Sequence, residues 1–227
     1  MQIIEIYKSL QGESSYSGLP CVFVRTAGCN LRCVWCDSEY TFKGGHRLSL
    51  DEVEQEVRRL SPAGGLVEIT GGEPLLQERE VAALMERLLA AGYTVLLETS
   101  GERLLDKVPN QVVKIVDVKC PHSGEGGTFR VQNLEHLTPR DEVKFVVASR
   151  TDYEFARDFL HQHGLNGNGA SVILSPAFRK DATGSRDVSH CLLDPRELAE
   201  WMLADGLNAR LGLQIHKFIW EPSRKGV

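Results

Sequence analysis

Residues 27–37 read Ala27-Gly28-Cys29-Asn30-Leu31-Arg32-Cys33-Val34-Trp35-Cys36-Asp37. Three cysteines fall within eight residues here, separated by three and then by two other residues. This spacing lets one loop wrap a compact metal centre and point three thiolates inward. Three ligands are one fewer than a closed tetrahedral zinc site or a cubane ligated only by protein requires. The motif therefore predicts a metal centre with an open position, where a further molecule can bind and be activated.

A zinc site and a disulfide are the alternatives for these cysteines. Zinc would need a fourth ligand, for which His46 is the nearest candidate. The N-terminus does not read as a signal peptide and no apolar stretch approaches a membrane span, so we expect a cytoplasmic chain with reduced thiols. Disulfides are disfavoured for the same reason. Of the isolated cysteines (Cys21, Cys120 and Cys191), Cys21 alternates with Phe23 on a predicted strand face and indicates a core residue.

Composition limits the classes of function. The chain has 227 residues, of which 42% are hydrophobic and 25% charged, so it is typical of one globular domain with a full core. Its formal net charge is -5, and it contains no long run of Lys or Arg. Direct binding of nucleic acid through a basic face is therefore not expected. A small anionic substrate held by a few local cations is compatible with this charge.

Outward from the cysteine motif, segments typical of strands and helices alternate. Ser49 and Glu52 form a capping box at the start of one helix, and Asp194 with Pro195 begins another. Strands alternating with amphipathic helices predict a parallel sheet with right-handed crossovers. The strand count is short of a closed eight-fold barrel, so we expect an α/β fold, a single-domain partial (open) β/α barrel of about six parallel strands over residues 1–227. The predicted strands cover residues 2–7, 21–25, 66–70, 94–98, 112–118, 142–147, 171–175 and 211–215.

A second motif directly follows one predicted strand. It reads Thr70-Gly71-Gly72-Glu73-Pro74. Together with the cysteine motif and with Trp35 before its last cysteine, it resembles the radical S-adenosylmethionine superfamily. In that superfamily the Gly-Gly-Glu-Pro segment binds the amino group of S-adenosylmethionine, a role that suits glycine because its backbone can approach a ligand closely. The resemblance implies a 4Fe–4S cluster bound by Cys29, Cys33 and Cys36.

Further motifs resemble one family within this superfamily, the 7-carboxy-7-deazaguanine synthases. They are spread over nearly the whole chain, which makes the resemblance specific. The motifs are Leu10-Gln11-Gly12-Glu13, Val24-Arg25-Thr26-Ala27-Gly28, Cys36-Asp37-Ser38, Glu98-Thr99-Ser100-Gly101, Asp117-Val118-Lys119-Cys120-Pro121 and Leu213-Gln214-Ile215-His216-Lys217.

The resemblance implies a radical ring contraction. The substrate would be 6-carboxy-5,6,7,8-tetrahydropterin and the products 7-carboxy-7-deazaguanine and ammonia, in queuosine and 7-deazapurine biosynthesis. The implied cofactors are the 4Fe–4S cluster, S-adenosylmethionine and Mg²⁺, and the implied partners are a second copy in a homodimer and an electron donor such as flavodoxin or ferredoxin. No further catalytic side chain is assigned, because the cofactor carries the hard chemistry while the protein supplies position and charge. No membrane partner is expected.

Position by position, the resemblance gives roles to residues of this chain. Ser38 stands where the family has a Thr or Ser hydroxyl that ligates Mg²⁺, and serine keeps the oxygen but loses the methyl that stiffens the rotamer. Glu13 would meet the guanidine-like edge of the pterin, and Arg25 would hold its carboxylate. The full substrate set is Leu10, Gln11, Gly12, Glu13, Arg25, Thr99, Gln214, His216 and Lys217. The S-adenosylmethionine set is Trp35, Cys36, Asp37, Gly71, Gly72, Glu73, Pro74, Gly101, Asp117, Val118, Lys119, Leu174, Ser175, Pro176 and Ala177.

In this interpretation an N-terminal strand binds substrate and a C-terminal tail closes the pocket. Two rival interpretations stay open at this point. A glycyl-radical-enzyme activase shares the cluster spacing, but it acts on a protein backbone and would need an open groove. A non-catalytic iron–sulfur or zinc module is the rival from another class, and the Gly-Gly-Glu-Pro turn argues against it. Taken singly, Arg25 is also compatible with a surface ion pair and His216 with a pocket-edge histidine.

Overall fold

A single sheet organises the computed structural model, which describes residues 1–165 and 169–227. The strands in this described part are β1 (Gln2–Leu10), β2 (Pro20–Thr26), β3 (His46–Arg47), β4 (Leu66–Thr70), β5 (Thr94–Thr99), β6 (Val113–Asp117), β7 (Glu142–Val147), β8 (Ser171–Pro176) and β9 (Arg210–Leu211). The α-helices are α1 (Leu50–Leu60), α2 (Glu78–Ala90), α3 (Arg150–Gln162), α4 (Pro195–Ala204) and α5 (His216–Ile219).

The sheet is open and mostly parallel. Strands β2, β4, β5, β6, β7 and β8 are neighbours in that order, and each adjacent pair is parallel. At one edge β1 pairs antiparallel with β2, and β3 pairs antiparallel with β1, while the short β9 lies at the other edge. The expected partial barrel of parallel strands is confirmed, with an antiparallel extension that the sequence interpretation did not include.

The last predicted strand, residues 211–215, is wrong. Only Arg210–Leu211 pairs with β8, and the N–H of Gly212 makes the last contact with that strand, to the carbonyl of Leu174 at 2.8 Å. The chain then leaves the sheet, and the N–H of Ile215 donates to the carbonyl of Gly12 at 3.1 Å. This segment therefore runs to the loop after β1 instead of extending the pairing with β8.

Side-chain caps mark where α1, α3 and α4 begin. The Ser49 hydroxyl accepts from the N–H of Glu52 at 3.2 Å, while the Glu52 carboxylate accepts from the N–H of Ser49 at 2.7 Å, which confirms the predicted capping box. Asp194 caps α4 by accepting from the N–H of Arg196 at 2.8 Å. These contacts satisfy N–H groups that have no partner within the helix. In the described part of the chain, no helix is both long enough and apolar enough to cross a membrane.

The two faces of the central strands have different characters. The outer face is mostly apolar, with the buried Lys114 of β6 as a charged exception. It packs against α1 and α2 over one half of the sheet and against α3 and α4 over the other half. The inner face is apolar only at the amino-terminal half of the strands, where Cys21 and Phe23 pack with residues of β4 to β6. Towards the carboxyl ends the same face becomes charged, because strand alternation continues it through Arg25, Glu68, Glu98, Asp117 and Lys144. The inner face thus has two parts. We call the five charged residues at the carboxyl ends the charged layer, and Cys21, Phe23 and the apolar residues that pack with them the apolar floor.

Candidate active site

A cavity of about 240 Å³ opens at the carboxyl ends of the parallel strands. Active sites in α/β folds collect at this end because the connecting loops converge there. The wall combines the charged inner face with the cysteine loop, the loop after β1 and the C-terminal segment. The predicted site residues that line it are Leu10, Gly12, Glu13, Arg25, Cys29, Cys33, Trp35, Cys36, Asp37, Ser38, Gly71, Gly72, Glu73, Thr99, Asp117, Lys119, Gln214, His216 and Lys217.

The cysteine loop follows β2 and is held by backbone contacts. Gly28 turns the chain at φ 95°, and its N–H donates to the carbonyl of Thr41 at 2.7 Å. The N–H of Cys36 donates to the carbonyl of Cys33 at 3.2 Å. All three thiols are free, partly buried and part of the cavity wall. Burial raises the pKa of each thiol, to about 11 for Cys36, so the free thiols carry protons that metal binding would release.

The position of His46 does not support a zinc site built on these cysteines. His46 is exposed, lies in β3 opposite Ile3 and takes no part in the cavity wall. Within residues 1–165 and 169–227, no three His, Cys, Asp or Glu side chains are grouped closely enough to hold one metal ion. Cysteines of a cluster bind separate irons and need not converge on a single ion. The donor set therefore fits an iron–sulfur cluster better than a mononuclear metal.

The Gly-Gly-Glu-Pro turn packs directly on the cysteine loop. The N–H of Glu73 donates to the carbonyl of Gly28 at 2.8 Å. A Cβ added to Gly72 would lie 1.9 Å from that carbonyl oxygen, and one added to Gly71 would lie 2.4 Å from Oγ1 of Thr26. Such distances leave no room for a side chain, so glycine is required for the approach of the two backbones. The turn thereby presents its own backbone to the cavity beside the thiols.

Glu73 supports this turn from inside the protein. Its buried carboxylate accepts from Oγ1 of Thr99 at 2.8 Å, and from the N–H and hydroxyl of Ser100 at 2.9 and 2.7 Å. It also accepts from the N–H of Leu75 at 3.0 Å. The side chain thus ties the end of β4 to the end of β5. Thr99 lines the cavity as predicted, although its hydroxyl proton is already given to Glu73.

Arg25 places a guanidinium in the wall at the end of β2. Its Nε lies 3.0 Å from Oε1 of Glu5, and its other nitrogens donate to the hydroxyl of Tyr7 at 2.8 Å and the carbonyl of Gly71 at 3.0 Å. The side chain is 14% exposed, which excludes a surface ion pair. Burial opposes its charge, but Tyr7, Tyr40 and Glu5 raise the pKa of Arg25 above its ordinary value. The site therefore holds a fixed cation suited to a carboxylate.

Glu13 is held at both oxygens. Its Oε2 accepts from Nζ of Lys144 at 2.9 Å, and its Oε1 accepts from Nε2 of Gln214 at 2.9 Å. Burial alone would raise the pKa of Glu13, but the ammonium of Lys144, with a contribution from His216, lowers it to about 2. Glu13 is therefore an ionised acceptor fixed in orientation at neutral pH.

The C-terminal segment closes this side of the cavity, as the Gln-x-His-Lys motif predicts. His216 lies against the loop after β1, because a Cβ added to Gly12 would lie 2.5 Å from its Nδ1. Burial lowers the pKa of His216, so its ring is neutral near pH 7. Nζ of Lys217 lies 2.7 Å from Oδ2 of Asp37. Although burial raises it, the pKa of Asp37 is well below its usual range because Lys217 outweighs burial. Residues 222–227 also line the cavity.

Two polar side chains that line the cavity, Asp117 and Ser38, each have an oxygen that can still bind a ligand. Oδ2 of Asp117 accepts from Nζ of Lys119 at 2.8 Å, but its buried Oδ1 has no hydrogen-bond partner among the described residues. A polar group of a bound molecule would satisfy this oxygen. The Ser38 hydroxyl donates to Oδ1 of Asp37 at 2.9 Å and lines the cavity, so its lone pairs are available to a hard cation. These features fit the cofactors that the sequence predicts.

Some predicted binding residues lie behind the wall instead of on it. Gln11 accepts from the N–H groups of Glu13 and Ser14 and donates to Glu68 at 3.1 Å, so it shapes the loop that carries Glu13. Gly101, at φ 66°, faces Phe129, whose ring a Cβ would meet at 2.6 Å. The structure also places these predicted residues outside the wall: Pro74, Val118, Leu174, Ser175, Pro176 and Ala177. Their assigned contacts with S-adenosylmethionine stay predictions.

The sequence interpretation missed several residues of the charged layer. Lys144, Glu98 and Glu68 all line the cavity, although none of them was given a role. A signal was present, since each is a charged residue that directly follows an apolar residue within a mostly apolar strand segment. Such residues are expensive to bury unless they are paired, so they mark a polar site within a sheet.

Comparison with known proteins is consistent with this geometry. The family model described as the Radical SAM superfamily matches residues 23–122. A 7-carboxy-7-deazaguanine synthase from Koribacter versatilis (strain Ellin345) is 69% identical over 227 residues, which is 100% of both chains. Another from Chlorobaculum tepidum is 41% identical and aligns over 100% of this chain and 97% of its own. The crystal structure of QueE from Escherichia coli, at 24% identity, has a TM-score of 0.70 over 93% of each chain and shares the fold.

Proposed function

Since this chain belongs to the 7-carboxy-7-deazaguanine synthase family of radical S-adenosylmethionine enzymes, we propose that it converts 6-carboxy-5,6,7,8-tetrahydropterin to 7-carboxy-7-deazaguanine and ammonia. The equation balances without an external oxidant, because the two heterocycles differ only by ammonia. The single observation that carries the proposal is the meeting of Arg25, Glu13 and the three cysteines in one cavity wall. No feature of this cavity favours a glycyl-radical-enzyme activase or a non-catalytic iron–sulfur or zinc module.

Individual residues of the cavity wall are assigned to each proposed cofactor. Cys29, Cys33 and Cys36 would hold the 4Fe–4S cluster, which with S-adenosylmethionine supplies the radical that starts the ring contraction. The Gly71–Gly72 backbone and the unpartnered Oδ1 of Asp117 would bind polar groups of S-adenosylmethionine. Ser38 would contribute its hydroxyl to Mg²⁺, with the other ligands coming from substrate and water.

The protein's own part in the reaction is to orient the pterin and exclude water. Arg25 would bind the substrate carboxylate through charge-assisted hydrogen bonds. Glu13 would accept N–H groups of the aminopyrimidinone edge. Residues 222–227, the C-terminal tail, would cover the bound substrate. We also propose a cytoplasmic homodimer that receives electrons from a flavodoxin or ferredoxin.

An anaerobic assay tests the reaction. The protein is reconstituted with iron and sulfide, then given dithionite, S-adenosylmethionine, Mg²⁺ and 6-carboxytetrahydropterin, and the products are followed by mass spectrometry. We expect 7-carboxy-7-deazaguanine and ammonia in equal amounts, in excess over 5′-deoxyadenosine because S-adenosylmethionine is regenerated. Release of 5′-deoxyadenosine without any deazapurine would reject the substrate. Absence of both products from a cluster-loaded protein would reject the proposed function.

Replacing Arg25 should separate substrate binding from cofactor chemistry. In Arg25→Gln we expect KM for the pterin to rise by about 10- to 100-fold, the range for loss of a charge-assisted hydrogen bond. Arg25→Lys should recover only part of this, because an ammonium cannot make the paired contacts of a guanidinium. The measurement is the KM and kcat of deazapurine formation, with iron content and S-adenosylmethionine binding as controls for folding. An unchanged KM in Arg25→Gln would contradict the assignment.

A further inference from the structure

Lys144 is a buried cation surrounded by carboxylates from three different elements. It lies in β7, and its side chain is 2% exposed. Nζ lies 2.9 Å from Oε2 of Glu13, hydrogen-bonds Oε1 of Glu98, and is 3.8 Å from Oδ2 of Asp117. Burial lowers the pKa of Lys144, but Glu13, Glu98 and Asp117 outweigh burial and raise it well above its ordinary value. The ammonium is therefore charged throughout the physiological range.

A second buried lysine in the same sheet shows what a structural ion pair looks like here. Nζ of Lys114 lies 2.9 Å from Oδ2 of Asp141, and both side chains are 1% exposed. Asp141 also accepts from the N–H groups of Lys114 and Thr138, each at 2.7 Å, so the pair ties a strand end to its neighbouring loop. Neither residue lines the cavity. Lys144 differs, because each of its three carboxylate partners is part of the cavity wall.

The role open to Lys144 follows from how its carboxylate partner Glu13 is held. Among the described residues no backbone N–H donates to the Glu13 carboxylate, which is fixed by Lys144 at one oxygen and by Gln214 at the other. The other titratable groups that act on the pKa of Glu13 are His216, Asp37 and Lys217. Without Lys144, burial and Asp37 would raise the pKa of Glu13 against the smaller opposing effects of His216 and Lys217. Protonated Glu13 would accept hydrogen bonds poorly at its O–H oxygen.

We propose that Lys144 is a positioning residue for substrate recognition, which orients the Glu13 carboxylate and keeps it an acceptor for the N–H groups of the pterin edge. The inference deepens the proposed function and rests on it. It assigns to β7 a part in specificity, since a heterocycle that lacks paired N–H donors would leave this ion pair partly unsatisfied. Lys144 acts through Glu13 and need not touch the substrate itself.

The test is the affinity of the cluster-loaded enzyme for 6-carboxytetrahydropterin, measured by calorimetry with S-adenosylmethionine bound and no reductant, so that no turnover occurs. In Lys144→Met we expect about 30-fold weaker binding near pH 8, within the range for a lost buried charge pair. The loss should grow as the pH falls towards about 5, because Glu13 then takes up a proton in the variant and stays ionised in the parent. His216 titrates in both proteins, so the difference between the two pH profiles is the readout.

Three further variants make the result specific. Glu13→Gln with Lys144→Met should bind no more weakly than Glu13→Gln alone, since Lys144 acts through Glu13. Lys144→Arg should restore most of the affinity and the pH profile of the parent. Lys114→Met is the matched control, expected to lower the melting temperature without changing affinity or its pH dependence. If Lys144→Met does not load a cluster, Lys144→Gln replaces it.

The experiment distinguishes failure of the positioning role of Lys144 from failure of the proposed function. An affinity and pH profile of Lys144→Met equal to those of the parent would overturn the positioning role while leaving the proposed function intact. Additive losses in the double variant would also overturn it, because Lys144 would then act independently of Glu13. Failure of the parent enzyme itself to bind the pterin would reject the proposed function and this inference with it.

Discussion

Cys33→Ala is expected to abolish both the iron–sulfur cluster and the reaction. Cys33 lies in the middle of the cysteine loop, and its thiol is one of three that line the cavity. Two remaining thiols cannot hold three irons of a cubane, so reconstituted protein should lack the full iron and sulfide content and the visible absorbance of a cluster. Deazapurine and 5′-deoxyadenosine should both fall by more than about a thousandfold, because the cofactor carries the chemistry.

Cys21→Ala provides the matched control for this loss. Cys21 is 1% exposed and packs with Phe23 on the apolar floor below the charged layer. Its replacement should cost about 1 kcal/mol of stability, while cluster content and turnover stay close to those of the parent. Iron and sulfide analysis beside a thermal melt distinguishes the two variants. An intact, active cluster in Cys33→Ala would show that the three cysteines are not its ligands.

Much of the site was predictable because its motifs are local. The cysteine loop, the Gly-Gly-Glu-Pro turn and the segment from Gln214 to Lys217 are each continuous in sequence and each follow a strand or a turn. Parallel strands bring their carboxyl ends to one edge, so residues just past different strands meet without any knowledge of long-range contacts. The structure confirms the open parallel sheet and places the thiols, Arg25 and Glu13 in the wall of one cavity.

What the sequence could not predict depends on side-chain direction and on contacts across the sheet. Gln11 and Glu13 are two residues apart, yet one shapes the loop from behind and the other faces the cavity. The contact between Glu13 and Lys144 spans 131 positions and joins the loop after β1 to the middle of β7. A charge between two apolar residues of a strand marks Lys144 as unusual, but its partners follow only from the three-dimensional structure. The register of β6 and β7 sets Asp117 opposite Lys144, while Glu98 comes from β5 and Glu13 from the loop after β1.

The arrangement of charge also explains how an acidic protein can bind an anion. The formal net charge is -5, but six Lys and Arg side chains line the cavity. Arg224 and Lys225 are exposed residues of the C-terminal tail, and the four that are buried or half-buried are Arg25, Lys119, Lys144 and Lys217. Three of them are paired with wall carboxylates, whereas Arg25 shares its guanidinium between Glu5, Tyr7 and a backbone carbonyl. The substrate carboxylate is therefore expected beside Arg25, and N–H donors of the heterocycle beside Glu13. A cation and an anion at separate positions in the cavity wall would then fix the orientation of the substrate.

Gly72→Ala is expected to disable the site although it removes no polar group. A Cβ at this position would lie 1.9 Å from the carbonyl oxygen of Gly28 and 3.2 Å from Cβ of Cys29. The obstacle is backbone, which cannot rotate away as a flexible side chain can, so the turn and the cysteine loop must separate. A displacement of about 1 Å between groups that hold the reactants costs on the order of a hundredfold in rate. We expect at least this loss in deazapurine formation, with weaker S-adenosylmethionine binding and lower cluster content.

Gly169→Ala is the control, since nothing lies within 4 Å of a Cβ at that position and its φ is not in the left-handed region. This variant should keep the parent's iron content, affinity for S-adenosylmethionine and rate. Gly71→Ala should fall between the two, because its nearest obstacle, Oγ1 of Thr26 at 2.4 Å, belongs to a side chain that can rotate, whereas the Thr26 carbonyl at 3.0 Å cannot. A Gly72→Ala enzyme as active as Gly169→Ala would mean that the turn and the cysteine loop need not touch during the reaction. Activity that falls in the order Gly169→Ala, Gly71→Ala, Gly72→Ala would instead show that the backbone contact between the turn and the cysteine loop sets the distance between cluster and cofactor.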